Sequence, residues 1–188
     1  MARWQPDSRG RLEHAALTLY GERGFENTTV AEIAERAGLT ERTFFRHFAD
    51  KREVLFWGAG ALQDLLVTTV ADAPASASPL EAVASALEAA GTLLQERREF
   101  ARQRQAVIAA SAELRERELI KLASLAAALA EALRRRGVKD PAAGLTGEIA
   151  VAVFKTAFER WVLASNKRDL PQVMRDSLAE LKAVTADG

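Results

Sequence analysis

Arg42, Thr43, Arg46, His47, Lys51 and Arg52 crowd into the stretch GLTERTFFRHFADKREVL, Gly38 to Leu55, interleaved with three phenylalanines. Their chemistry is hydrogen-bond donation to anions and base edges. An arginine can bond bidentately to guanine O6 and N7, and a threonine can bond a base edge or pack on a thymine methyl. Lysine and hydroxyl donors suit phosphates, whose contacts set position while base contacts set sequence preference. Catalytic chemistry finds little support elsewhere in the chain. There are two histidines and no cysteine, and no HExxH, GxSxG or phosphate-binding glycine loop. The GxG of WGAGAL lacks a preceding strand and is set aside. An enzyme, a cofactor and a metal site are therefore not expected.

The elements that must hold those donors are helices. Alanine, leucine, glutamate and arginine are strong helix formers, and no alternating β-branched run bounded by turns is present. An all-α protein of about nine helices is the expectation. The first helix covers about Ser8 to Arg23, with Leu12, Ala15, Ala16 and Leu19 at helical spacing and Gly24 as its stop. Thr29-Val30-Ala31-Glu32 reads as a capping box opening a second helix, whose buried face is Val30, Ile33, Ala34 and Ala37. Gly38 ends it. Thr40 caps a third helix, in which Phe44 and Phe48 lie four apart on an inward face. Asp50-Lys51-Arg52-Glu53 reads as the start of a fourth helix running to about Ala71.

Two short helices joined by a tight glycine turn form a helix-turn-helix. Its second helix enters the major groove and meets bases near its N-terminus. Net charge is zero, with 26 basic and 26 acidic residues, so an indiscriminate polyanion binder is not expected. Locally the balance differs: from Arg36 to Arg52 five basic residues face two acidic ones.

The stretch TTVAEIAERAGLTERTFFRHFADKREVL, with GERGFENTTV before it, resembles the DNA-binding domain of the TetR family of transcriptional regulators. The resemblance covers about Arg9 to Trp57. It implies an N-terminal three-helix DNA-binding domain, a longer helical ligand-binding domain, and a homodimer on a two-half-site operator of double-stranded DNA. Family-typical DNA contacts fall on Thr29, Thr40, Arg42, Thr43, Phe45, His47 and Lys51; Glu41 and Arg46 complete the candidate surface. Members often carry tyrosine where Phe45 stands, and phenylalanine cannot hydrogen-bond a phosphate, so its contact would be apolar. Glu41 would accept from cytosine N4 or complement the helix dipole. Residues 1–52 are assigned to the DNA-binding domain and 53–188 to a helical effector-binding and dimerisation domain.

Beyond the loop DAPASASP the pattern predicts helices at about 80–97, 99–110, 112–136, 141–166 and 171–184. The stripe Ile149, Ala150, Val153, Phe154, Ala157, Phe158, Trp161 and Val162 is broad enough to line a core and also pair with a second subunit. The resemblance implies that the last two helices, 141–166 and 171–184, build the dimer interface. Candidate effector contacts are Phe100, Val107, Ile108, Leu122, Phe154, Phe158 and Trp161, with Leu94 and Leu125 beside them. Their character points to a small apolar or amphipathic effector, and Arg102, Gln103 and Arg104 are candidates for an acidic head group. No signal peptide and no apolar run of the length of a membrane span is read, so a cytoplasmic protein is expected. The function that the helix-turn-helix and the resemblance together imply is a ligand-responsive DNA-binding regulator, a repressor released by its effector. The alternative is a helical protein-interaction module whose helix-turn-helix does not bind DNA.

Overall fold

Asp7 opens the first helix: its carboxylate accepts the amide of Gly10 at 2.8 Å, satisfying one of the free N–H groups of a helix start. The computed structural model describes residues 7–163, 165 and 167–186. Among the described residues there are nine α-helices, one short 3-10 turn and no strand, as the composition led us to expect. Helix α1 (Ser8–Arg23) buries Leu12, Ala15, Ala16 and Leu19, together with Leu17 and Tyr20. Helix α2 (Val30–Arg36) begins with both halves of the Thr29–Glu32 capping box: the Glu32 amide donates to the Thr29 hydroxyl at 3.3 Å and the Thr29 amide to the Glu32 carboxylate at 2.8 Å. Helix α3 (Glu41–His47) is capped by Thr40, whose hydroxyl accepts the amide of Thr43 at 3.2 Å. Between α2 and α3 the chain turns through Gly38 at φ +63°, a left-handed conformation that costs glycine little and other residues more.

The fourth helix does not run from Asp50. A 3-10 turn occupies Glu53–Leu55, and α4 begins only at Ala59 and ends at Asp72. The Asp50 carboxylate does accept the amides of Arg52 and Glu53, so the start signal is used. The next residues defeat a helix: Val54, Leu55 and Phe56 are all buried. Three consecutive residues cannot share one face of an α-helix, where inward positions recur every three to four residues. The stretch Glu53–Asp72 has the length and mean hydropathy, 1.4, of a membrane span, which was not anticipated. Its α-helix is 14 residues long. That is about 21 Å at 1.5 Å per residue, short of a hydrocarbon core of ~30 Å.

Packing divides the chain into two compact units. The first comprises residues up to 58 together with 103–118; the second comprises 59–102 and the chain from 119 onward. This is not the division at 52/53 read from the sequence, because 103–118 packs with the N-terminal helices. Helices α6 (Arg98–Ala110) and α7 (Ala112–Arg135) thus each run from one unit into the other.

The second unit contains α4, α5 (Pro79–Gln95), α8 (Ala142–Val162) and α9 (Leu170–Ala186), with the later part of α7. Apart from the start of α4, the ends lie within a few residues of expectation; the expected end at Asn166 falls outside the described residues. Helix α5 lies between α4 and α9, and α8 packs on α9 and α5. The core is built of small and aliphatic side chains, among them Leu66, Ala86, Leu87, Ala90, Leu129, Leu133 and Leu170. Each large one contributes about 1.5–3 kcal/mol relative to exposure. Gly147 allows α8 to settle on α7: a Cβ there would lie 2.6 Å from the carbonyl oxygen of Ala126.

Candidate nucleic-acid interface

Helix α3 is held by one side. Phe44 is fully buried and Phe48 nearly so, their ring centroids 5.4 Å apart, so the aromatic side faces the core of the first unit. Helix geometry then fixes the rest. Glu41, Arg42, Phe45 and Arg46 are exposed, while Thr43 and His47 are half-buried. Arg42 and Arg46 make no hydrogen bond or ion pair among the described residues. Other arginines of the unit do: Arg23 pairs with Glu32, Arg36 with Glu22 and Arg52 with Asp50. The positive charge of this face is therefore not neutralised internally. Phe45 is 55% exposed and stands edge-on to Phe44 at 5.4 Å, an apolar ring presented outward on the same short helix.

The remaining expected donors are partly committed. The Thr29 hydroxyl serves the capping box. The Thr40 hydroxyl caps α3 and lies 3.1 Å from that of Thr43. Lys51, expected to meet phosphate, turns inward. Its ammonium donates to the carbonyls of Phe25 at 2.9 Å and Thr28 at 3.0 Å and lies 4.3 Å from the Phe25 ring centroid. Two carbonyls and an aromatic face before α2 outcompete solvent for it. The Tyr20 hydroxyl donates to the Lys51 carbonyl at 2.6 Å, and burial pushes that phenol well above its ordinary pKa. Lys51 thus fastens the α1–α2 loop, with at most one of its three N–H groups left for another partner. His47 is held below its ordinary pKa by burial first, then by Arg46 and Arg9. Its Nε2 is buried without a partner. The formal positive charges of α3 are those of Arg42 and Arg46.

The same unit contains a buttress that sequence reading missed. Arg104 of α6 donates to the carbonyl of Leu55 at 2.7 Å, pairs with Glu118 at 3.2 Å and lies 4.8 Å over the Phe56 ring. Arg117 donates to Glu53 at 2.7 Å, Arg52 reaches Glu113 at 3.1 Å, and the Ser111 hydroxyl donates to Glu26 at 3.1 Å. These contacts fix the residues that follow α3 against the α6–α7 corner. They also correct one expectation: Arg104 is engaged here and does not await an acidic head group. Arg102 is paired with Glu99 at 2.8 Å.

The expected effector contacts fall in both units. Val107 and Ile108 are buried in the first unit, whereas Phe100, Leu122, Phe154, Phe158 and Trp161 belong to the second. Of these, Phe154, Phe158 and Trp161 form a ladder along α8, with centroids 5.9 and 5.7 Å apart. Phe100 lies beneath the Arg97 guanidinium. The broad stripe of α8 is absorbed by the protomer itself: Ala150, Val153, Phe154, Ala157, Trp161 and Val162 are buried and Ile149 and Phe158 half-buried. Leu145 on α8 and Val184 on α9 are the large apolar side chains of these two helices left exposed.

Residues 13–56 match the family described as bacterial regulatory proteins, tetR family, and residues 77–186 match the MftR C-terminal domain family. The transcriptional regulator TcmR of Streptomyces glaucescens is 39% identical over 82 residues, 44% of this chain and 36% of that protein. The chain spans about a third of the length of the curated relatives it matches. Two solved structures share the fold. FadR of Bacillus subtilis in complex with stearoyl-CoA has a TM-score of 0.64 at 20% identity, covering 92% of this chain and 96% of that one. Thermus thermophilus FadR, a transcriptional repressor in complex with lauroyl-CoA, has a TM-score of 0.58 at 23% identity, covering 93% of each chain. The match over the helix-turn-helix, joined by a second over more than half of the chain, places it in the TetR family of bacterial transcriptional regulators.

Proposed function

We propose that the chain is a homodimeric, cytoplasmic transcriptional repressor that grips operator DNA through α3 and releases it on binding an amphipathic effector with a long apolar part. The observation that carries the DNA reading is the unneutralised pair Arg42 and Arg46 on a helix anchored by Phe44. Arg42 lies in the first turn of α3, where side chains meet base edges. Arg46, one turn further on, suits phosphate. Phe45 offers an apolar contact to sugar or thymine methyl, and Glu41 complements the helix N-terminus. Thr29, Thr40 and Thr43 keep hydroxyl capacity for phosphates at the helix starts. Lys51 contributes by holding the loop rather than by direct contact.

The effector reading rests on the apolar second unit with its aromatic ladder, and on the acyl-CoA complexes of two proteins of the same fold. A fatty acyl thioester is the class we favour. Dimerisation through α8 and α9 would place two recognition helices one DNA turn apart, about 34–36 Å. Effector binding would shift the population towards a form that no longer matches that spacing.

Footprinting on DNA upstream of the chain's own gene tests this. Protection of two half-sites, lost on adding lauroyl-CoA, is expected; no sequence-specific protection at low salt overturns the reading. Arg42→Ala should cost about 1–3 kcal/mol of binding and relax preference at one base position. One observation favours the alternative of a protein-interaction module: Phe45 is an exposed apolar ring on the α3 face. DNA affinity that does not fall steeply with salt would support that second reading.

A further inference from the structure

Trp161 presents a polar atom that its surroundings do not satisfy. The residue is fully buried, and its indole Nε1 has no hydrogen-bond partner. An indole N–H only donates, so it needs an acceptor. Its close neighbours supply none. Phe158 lies 5.7 Å away, ring to ring, and the Arg98 guanidinium lies 5.7 Å from the Trp161 ring. A guanidinium also only donates. Nor is the indole placed to seek water by moving with the chain end. Arg98 donates to the carbonyls of Trp161 at 2.8 Å and Leu163 at 2.9 Å, pinning the last turn of α8. Buried polar groups in proteins nearly always find a partner, so an orphaned donor calls for an explanation, and an acceptor from outside the chain is one.

The surroundings also limit what kind of acceptor fits. Among the described residues, the buried side chains of the second unit are hydrophobic apart from Ser177. Bringing a carboxylate into such a core carries a large desolvation penalty, whereas a neutral carbonyl carries a small one. On one side of Trp161 the rings of Phe158, half-buried, and Phe154, buried, line an apolar interior.

We propose that the Trp161 indole N–H is the hydrogen-bond donor that anchors a neutral carbonyl oxygen of the effector, with the attached hydrocarbon lying along Phe158 and Phe154. The assignment rests on the ligand-responsive reading given above and specifies its recognition chemistry. It predicts selection for an acyl chain over an alkyl chain of equal length.

The test compares lauroyl-CoA with S-dodecyl-CoA, its thioether counterpart without the carbonyl, on the full chain labelled with nitrogen-15. The chain has three tryptophans, so three indole N–H signals report. Trp4→Phe and Trp57→Phe assign the Trp161 signal by elimination, so the assignment survives if Trp161→Phe does not fold. Lauroyl-CoA is expected to bind about tenfold tighter than the thioether, the order of one hydrogen bond to an otherwise orphaned group. It should move the Trp161 indole proton downfield, and the thioether should not. Trp161→Phe, where folded, should bind the two equally. Should both compounds bind alike and release DNA while the Trp161 signal stays put, the effector reading stands and this assignment falls. Should neither compound bind, the acyl-effector reading falls and takes the assignment with it.

Discussion

In the first unit, Arg104, Arg117, Ser111 and Glu113 reach from the α6–α7 corner to Leu55, Glu53, Glu26 and Arg52 through directional polar contacts. In the second unit the packed interior is alanine, leucine and other apolar side chains, and its polar links lie at helix ends or on exposed side chains: Gln95 accepts the Leu170 amide at 2.7 Å, Arg136 closes on the carbonyls of Ala73 and Pro74, and Arg160 pairs with Glu180 at 2.7 Å and Arg175 with Glu88 at 3.5 Å. Hydrogen bonds hold only within a narrow range of distance and angle. Apolar burial is non-directional and tolerates rearrangement when volume is kept. A recognition helix has to arrive at a groove in one orientation, and a unit stitched by polar contacts suits that demand. A bundle of small apolar residues suits the admission of a guest.

The contrast can be broken most forcefully at Arg104. Arg104→Ala removes the bond to Leu55, the Phe56 contact and the partner of Glu118, which is only 23% exposed. Stranding a largely buried carboxylate in this way costs about 3 kcal/mol. Hydrogen exchange should show that loss in the amides of α3, with those of α8 little changed. Equal loss in both helices would mean that the units do not differ as described. The reverse substitution is Gly147→Val. Its Cβ would meet the Ala126 carbonyl oxygen at 2.6 Å, closer than atoms tolerate. Overpacking of this kind costs about 1–3 kcal/mol. Protection should then fall in α8 while α3 keeps its own.

How much of this could be read beforehand depends on the range of the interactions. The helices of both units were legible because capping boxes, glycine stops and apolar periodicity are local; Thr29–Glu32, Thr40 and Gly38 all act where they stand in the chain. The inward turn of Phe44 and Phe48 could be had from spacing alone. The buttress was not legible, since Arg104 lies 49 residues from Leu55 and Ser111 lies 85 from Glu26, with no pattern between them. The same blindness set Lys51 against phosphate and carried the fourth helix through Val54–Phe56. Each error assigned to local pattern a side chain whose neighbours are supplied by distant chain.

Acid offers the gentlest way to separate the units. The Asp50 carboxylate accepts from the Arg52 guanidinium at 2.6 and 3.1 Å and from the amides of Arg52 and Glu53. Those Arg52 side-chain bonds are the largest reason its pKa lies below the ordinary carboxylate value; partial burial opposes them, and the two amides assist. A group whose folded pKa is depressed stabilises the fold above its unfolded pKa, near 4. It gives that stability up as pH falls from there through the lower folded value. Asp50→Asn keeps the shape and removes the titration. At neutral pH it should cost about 1 kcal/mol, the order of a lost cap. Between pH 5 and pH 3 its first unit should then lose stability less steeply than the wild type does. Glu32, depressed by the Thr29 amide, keeps part of that slope in both proteins. An unchanged acid slope in the α3 amides of Asp50→Asn would show that the Asp50–Arg52 contact is not maintained in solution. The second unit serves as the internal reference, because the substitution leaves all of its own carboxylates in place.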